Sequence, residues 1–102
     1  MSYGLDIWPD TEADIRSAAR WYNSEQGGLG VDFAEAVYAT IDSLERNPFL
    51  HRVRARYRRR EVRWVYPERF PYRIIYYVEG QAVRIFAVLH AKRSDAAWKT
   101  RL

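Results

Sequence analysis

The sequence predicts an α+β domain with the element order β-α-α-β-β-β and a short helix at the C-terminus. Two observations support this class. The first half has apolar residues at helical spacing on both sides of a glycine-rich turn, and the second half has strand-length runs of β-branched and aromatic residues. The length of 102 residues fits one domain, spanning residues 1–102, with a single core.

The N-terminal half is expected to form a strand and a helical hairpin. Residues 4–8 have the composition of a short strand, and Thr11 with Asp14 can cap a helix that runs to about residue 25. A glycine-rich turn separates it from a second helix over residues 31–46. Helices joined by so short a turn should lie antiparallel. Their apolar faces are Ile15, Ala18, Ala19 and Tyr22 in the first helix and Phe33, Val37, Ile41 and Leu44 in the second.

The C-terminal half is expected to form a linker, three strands and a final helix. The linker covers residues 49–57, and strands follow at 58–65, 72–78 and, after a Glu-Gly turn, 82–89. A short helix is expected over residues 95–101. Alternation in the last strand places four residues on one face, namely Val83, Ile85, Ala87 and Leu89. We expect one core between hairpin and sheet, including Trp21, Phe33, Ile41, Ile74 and Ile85.

Charge is strongly polarised along the chain. Residues 1–47 contain nine acids and three arginines, a net charge of −6, whereas residues 48–102 contain four acids and fourteen lysines and arginines, a net charge of +10. This polarity suggests an acidic or nucleic-acid partner for the basic half, although the two halves could also simply attract each other across the fold.

Several classes of protein and site are disfavoured by composition. The chain has no cysteine, which removes disulfides and thiolate chemistry, and its two histidines and scattered acids make a metal site or cofactor unexpected. No apolar run approaches the ~20 residues that cross a bilayer, and the N-terminus does not resemble a signal peptide. We therefore expect a cytoplasmic protein with no membrane partner.

Seven arginines lie within residues 52–63, interleaved with aromatic residues. The planar fork of arginine binds two phosphate oxygens at once, and neighbouring aromatic rings can stack on bases. We expect Arg56, Arg58 and Arg60 to bind a polyanion or an acidic partner. The alternative is an edge strand that its charges protect from aggregation.

Arg73 lies among apolar residues in an expected central strand. Alternation turns it away from the helix-covered core, to the same side as Ile75 and Tyr77. It could bind an anion there, or form an ion pair with an acid such as Glu61.

His90 ends the last strand and is followed by Lys92 and Arg93. A histidine at this position could act as a general acid or base, or bind an anion with the two cations. The alternative is that it hydrogen-bonds a loop carbonyl and fixes the turn. Trp98 is expected to serve packing.

In order and spacing, these motifs resemble the RelE/ParE superfamily of toxins from type II toxin–antitoxin systems, over nearly the whole chain. The resemblance implies a helical hairpin on one face of a curved antiparallel sheet. It also implies a cytoplasmic growth inhibitor, similar to plasmid stabilisation proteins, that a cognate antitoxin holds inactive. The residues that carry it are Ala13-Asp14-Ile15, Trp21-Tyr22, Gly28-Leu29-Gly30 with Phe33, Asn47-Pro48, Phe70-Pro71-Tyr72-Arg73-Ile74-Ile75-Tyr76, and Val88-Leu89-His90 followed by Lys92-Arg93 and Trp98.

The superfamily divides by target: RelE-like toxins cut messenger RNA in the ribosome, and ParE-like toxins poison DNA gyrase and are not known to be hydrolases. Arg73 matches the RelE-like position for a phosphate-holding arginine, and His90 is the second catalytic candidate if the protein is a nuclease. However, Trp98 and residues 100–102 offer no proton donor where RelE-like enzymes often place Tyr or His-Tyr. His90 with Lys92-Arg93 is more similar to the ParE-like pattern.

The resemblance therefore implies gyrase inhibition first. A RelE-like, ribosome-dependent mRNA endoribonuclease is the alternative, and a non-toxic nucleic-acid-binding module is the third interpretation.

Overall fold

The computed structural model describes residues 2–102, so the first residue of the expected domain lies outside the described part. The fold is a helical hairpin packed on a five-stranded sheet of order β1-β5-β4-β3-β2, and the α+β class is confirmed. The elements are β1 (Gly4–Ile7), α1 (Pro9–Glu25), α2 (Leu29–Ser43), β2 (Val53–Tyr57), β3 (Arg60–Val65), β4 (Tyr72–Glu79), β5 (Ala82–His90) and the short α3 (Ala96–Lys99).

The sheet is antiparallel from β2 to β5, and β1 joins it in parallel along one edge of β5. The β1–β5 register runs from Gly4 opposite Ala82 to Ile7 opposite Ile85. Because β5 continues to His90, its last five residues extend past the end of β1.

The prediction of a linker over residues 49–57 is wrong, because its second half forms β2. This strand alternates the half-buried residues Val53, Ala55 and Tyr57 with exposed arginines and pairs with β3. Arg58 and Arg59 form the turn between the two strands, with φ angles of 50° and 65°. The strand expected at residues 58–65 therefore begins two residues later than predicted.

The start of α1 also differs from the expectation. The helix begins at Pro9, whose fixed φ suits the first helical position, and Trp8 is the N-cap residue. Thr11 is not a cap: it is fully buried, and its hydroxyl donates to the carbonyl of Ile85 at 2.9 Å. In α2, Gly30 allows close helix packing, since a Cβ there would lie 2.3 Å from the carbonyl oxygen of Ala19.

Two clusters of buried residues cover the two faces of the sheet, where one core was expected. The first lies between the helices and the sheet and includes Phe33, Ile41, Ile74 and Ile85, as predicted. Trp21 is not part of it, since 56% of this residue is exposed. Tyr22 takes the inward position beside it and stacks on Phe33 with ring centroids 5.2 Å apart.

The second cluster lies on the other face, beneath α3, and includes Val62, Ile75, Phe86, Leu89 and Trp98. A bulge in β5 accounts for its composition: Ile75 pairs with Ala87 but the next residue of β4 pairs with Ile85, which leaves Phe86 extra. The expected shared face of β5 is therefore wrong, because Ala87 and Leu89 belong to the second cluster and Val83 and Ile85 to the first.

Candidate functional site

Arg73 lies on the sheet face turned away from the helical hairpin, as predicted, but that face is closed. The residue is only 4% exposed. Its Nη1 donates to Asp95 Oδ1 at 2.7 Å and its Nη2 to the carbonyl of Arg93 at 2.8 Å. Its guanidinium also lies 4.8 Å from the ring of Trp64. The ion pair proposed with Glu61 is wrong, because the partner carboxylate is Asp95.

Asp95 connects Arg73 to the final helix. Its Oδ1 also accepts the indole N–H of Trp98 at 3.1 Å, and Trp98 is fully buried against the sheet. The hydrogen bond from Arg73 is the main cause that lowers the pKa of Asp95, with further contributions from Trp98 and Lys99 and an opposing effect of burial. Both terminal nitrogens of Arg73 are therefore engaged in fixing α3 and its preceding loop to the sheet.

His90 lies on the opposite face of the sheet from Arg73. In the β4–β5 register, Tyr72 is opposite His90 and Arg73 is opposite Leu89. The rings of Tyr72 and His90 meet edge-to-face with centroids 5.2 Å apart on the helix side. Since neighbouring side chains on a strand alternate in direction, Arg73 and His90 cannot approach one phosphate group together.

His90 also forms a hydrogen bond within its own turn. Its Nδ1 accepts the backbone N–H of Lys92 at 3.1 Å. The ring fixes the turn after β5, although its partner is an amide N–H and not the carbonyl that was expected.

A groove of about 270 Å³ lies beside His90, between α1 and the end of β5. The exposed indole of Trp21 stands at this groove, and Tyr72, His90 and Arg93 also line it. The side chains of Lys92 and Arg93 are exposed on the turn. The structure thus brings His90 and Arg93 together with an exposed tryptophan that sequence reasoning had assigned to the core.

Asp14, which lines this groove, forms an ion pair with Arg101 that we call the clasp and that was not predicted from the sequence. Two nitrogens of Arg101 donate to the two carboxylate oxygens of Asp14, at 2.6 and 2.8 Å. Arg101 also donates to the carbonyl of Phe86, and the N–H of Val88 donates to Asp14. The clasp therefore covers the edge of β5 that β1 leaves unpaired, and it joins residues too far apart in sequence for a local signal.

The arginine run lies at the opposite edge of the sheet from β1 and β5, on β2 and β3. Arg56 is exposed and pairs with Glu61 at 3.0 Å, Arg58 lies in the turn, and Arg60 stacks over Tyr77 at 4.6 Å. Three ion pairs join the acidic and basic halves of residues 2–102, and none of them uses an arginine of this run. These pairs are Asp6–Arg84, Asp14–Arg101 and Asp32–Arg69.

Within the described residues, no group of three histidines or acids is placed to hold a metal ion, and no helix is long and apolar enough to cross a membrane.

A family model described as the ParE toxin of the type II toxin–antitoxin system, parDE, matches residues 6–95. The chain belongs to this toxin family. Its structure is also similar to one described as the chromosomal ParDE TA system from P. aeruginosa, with a TM-score of 0.75 and 17% sequence identity over 86% of this chain and 95% of that chain. At this identity the likeness shows the fold. No curated protein matches the sequence.

Among the described residues of this ParE-family toxin, two exposed surfaces contain the remaining candidate residues. One is the groove surface formed by Trp21, Tyr72, His90, Lys92 and Arg93. The other is the arginine run on β2 and β3. Both consist of aromatic rings and cations, and their chemistry suits contact with an anionic or aromatic partner.

Proposed function

We propose that this ParE-family toxin inhibits bacterial growth by binding DNA gyrase, and that a cognate antitoxin neutralises it. Family membership supports the toxin role, and the resemblance to ParE-like members supports gyrase as the target. The observation that favours binding over RNA cleavage is the placement of Arg73, which is buried and donates through Nη1 to Asp95 and through Nη2 to the carbonyl of Arg93.

Cleavage of RNA requires a base for the 2′-hydroxyl, cations for the phosphate and an acid for the leaving oxygen, all in one site. Arg73 and His90, the two catalytic candidates, lie on opposite faces of the sheet. His90 in addition uses its Nδ1 to accept a backbone N–H. Inhibition by binding requires no such arrangement, only exposed groups that complement the target.

We place the target contact on the groove surface, with Lys92 and Arg93 as its cations. Their side chains are exposed, and neither forms an ion pair within residues 2–102. The exposed Trp21 adds a large aromatic contact beside them. Aromatic residues and arginine contribute most to binding energy at protein interfaces.

The antitoxin is proposed to dock an acidic or amphipathic segment on the basic half of the toxin. The support is the net charge of +10 in residues 48–102. Such segments are often disordered alone and fold on binding. Replacing Arg56, Arg58 and Arg60 together with glutamate should weaken the complex and slow its association, more at low salt than at high salt. If the affinity is unchanged at both salt concentrations, the antitoxin docks elsewhere.

Induction in bacteria without the antitoxin tests the target directly. We expect the DNA-damage response to rise while the 5′ ends of messenger RNA stay unchanged, and we expect Lys92→Ala with Arg93→Ala to relieve toxicity. Cut messenger RNA would contradict the proposal and favour a RelE-like endoribonuclease. If folded, antitoxin-free protein has neither effect, the non-toxic binding module is the better interpretation.

A further inference from the structure

In the outer part of the β2–β3 hairpin, the pairing of β3 with β4 stops while its pairing with β2 continues. β3 pairs with β4 only over Arg63–Val65, whereas its pairing with β2 continues to Tyr57 opposite Arg60. Residues 54–62 therefore include a two-stranded segment with no third strand hydrogen-bonded to it, although its residue Val62 is buried in the second cluster. We call residues 54–62, with the turn at their tip, the arginine ribbon.

The arginine ribbon carries cations that no carboxylate neutralises. Arg54, Arg58, Arg59 and Arg60 form no ion pair among the described residues. Its single acid, Glu61, is already shared between Arg56 at 3.0 Å and Arg63 at 3.7 Å. With five arginines and one glutamate, residues 54–62 carry a net charge of +4.

Aromatic rings orient these guanidinium groups. Arg54 lies 5.6 Å from the ring of Trp64, Arg58 lies 5.3 Å from Tyr57, and Arg60 lies 4.6 Å from Tyr77. A guanidinium stacked on a ring keeps its N–H edge free for acceptors and loses less freedom when it binds one. The ribbon therefore presents oriented hydrogen-bond donors in addition to charge.

The tip of the ribbon is strained. Arg58 and Arg59 have φ angles of 50° and 65°, the left-handed region that two-residue hairpin turns usually fill with Asn-Gly. Two arginines at these positions lower the stability of the turn and place two further cations at its most exposed point.

We propose that the arginine ribbon binds duplex DNA, with Arg58 and Arg59 on phosphates at the edges of the major groove and Arg54 and Arg60 on flanking phosphates. The major groove of B-DNA is about 12 Å wide and admits a two-stranded β-ribbon. The deep, narrow major groove of duplex RNA does not. This contact goes beyond the proposed function, because it does not require gyrase.

Fluorescence anisotropy with a labelled DNA duplex of about 20 base pairs tests the contact on the purified toxin alone. Four neutralised phosphates give an expected slope of about −3.6 for log affinity against log salt, equivalent to a loss of about 150-fold in affinity between about 50 and 200 mM salt. Arg58→Asn with Arg59→Gly removes two cations and should make the slope shallower by about 2.

Loss of binding in this double variant cannot result from unfolding, since Asn-Gly is the preferred sequence for the turn and should raise the melting temperature. The matched control is Arg16→Gln with Arg20→Gln, which removes the same charge from exposed positions on α1 and should keep the wild-type slope.

Three results would overturn the inference. The first is no binding up to about 100 µM protein at low salt, where non-specific DNA binding should be measurable. The second is an equal loss in the turn variant and the α1 control, which would mean diffuse charge attraction. The third is equal or tighter binding to an RNA duplex of the same sequence.

If the turn variant loses antitoxin affinity while wild type does not bind DNA, the ribbon serves a protein partner instead. A toxin that traps gyrase yet fails to bind DNA alone would contradict this inference and leave the proposed function standing.

Discussion

Replacing Arg73 with alanine should destabilise the fold. The change removes a hydrogen bond of 2.7 Å to Asp95, one of 2.8 Å to the carbonyl of Arg93, and the contact with Trp64. A hydrogen bond to a charged group contributes roughly 1.5–3 kcal/mol. We discount the ion pair because 46% of the Asp95 side chain is exposed and its carboxylate can be rehydrated.

The expected loss is therefore about 3 kcal/mol, from a total stability of roughly 5–15 kcal/mol for a domain of this size. At about 4 °C per kcal/mol, the melting temperature should fall by about 12 °C. Thermal unfolding followed by circular dichroism measures this shift.

Arg93→Ala is the matched control, since Arg93 holds Arg73 only through its carbonyl and its own side chain is exposed. This variant should melt within about 2 °C of wild type. The reasoning is refuted if Arg73→Ala also melts within about 2 °C of wild type but no longer inhibits growth. Arg73 would then act on a target and not on the fold.

Two further predictions concern the core and the response to acid. Ile74→Ala should lower the free energy of unfolding by roughly 2–5 kcal/mol in denaturant, because Ile74 is fully buried. Trp21→Ala should lower it by less than about 1 kcal/mol, because Trp21 is mostly exposed. Equal losses would show that Trp21 packs in the core. The folded-state pKa of Asp95 is lowered, so its stabilising contribution is complete above its unfolded pKa and is lost as the pH falls through the folded value. From about pH 5 to about pH 3, wild type should therefore lose more stability than Asp95→Asn, and parallel losses would contradict this assignment.

Helical periodicity was sufficient to predict the inner face of the hairpin. Phe33, Val37, Ile41 and Leu44 are all fully buried, as their spacing indicated. The same approach missed β2, because its half-buried residues alternate with arginines and the segment was interpreted as a charged linker. Propensity favours strands of β-branched and aromatic residues, so a five-residue strand with two arginines gives a weak signal.

The candidate site was predictable only in part, because its decisive contacts are long-range. Strand alternation correctly turned Arg73 away from the helices, but nothing local indicated that α3 would cover that face and supply Asp95. Nor does any spacing indicate that Arg101 reaches Asp14 from the far end of the chain. The roles of the exposed residues His90, Lys92 and Arg93 stay predictions.

Paired reactions with purified, antitoxin-free protein test the claim that this toxin acts by binding gyrase and not by cutting RNA. One reaction contains gyrase and supercoiled plasmid, and the other contains ribosomes with bound messenger RNA. We predict that the toxin traps cleaved, linear plasmid with gyrase and leaves the messenger RNA intact. Cleaved messenger RNA together with unaffected gyrase would contradict the claim.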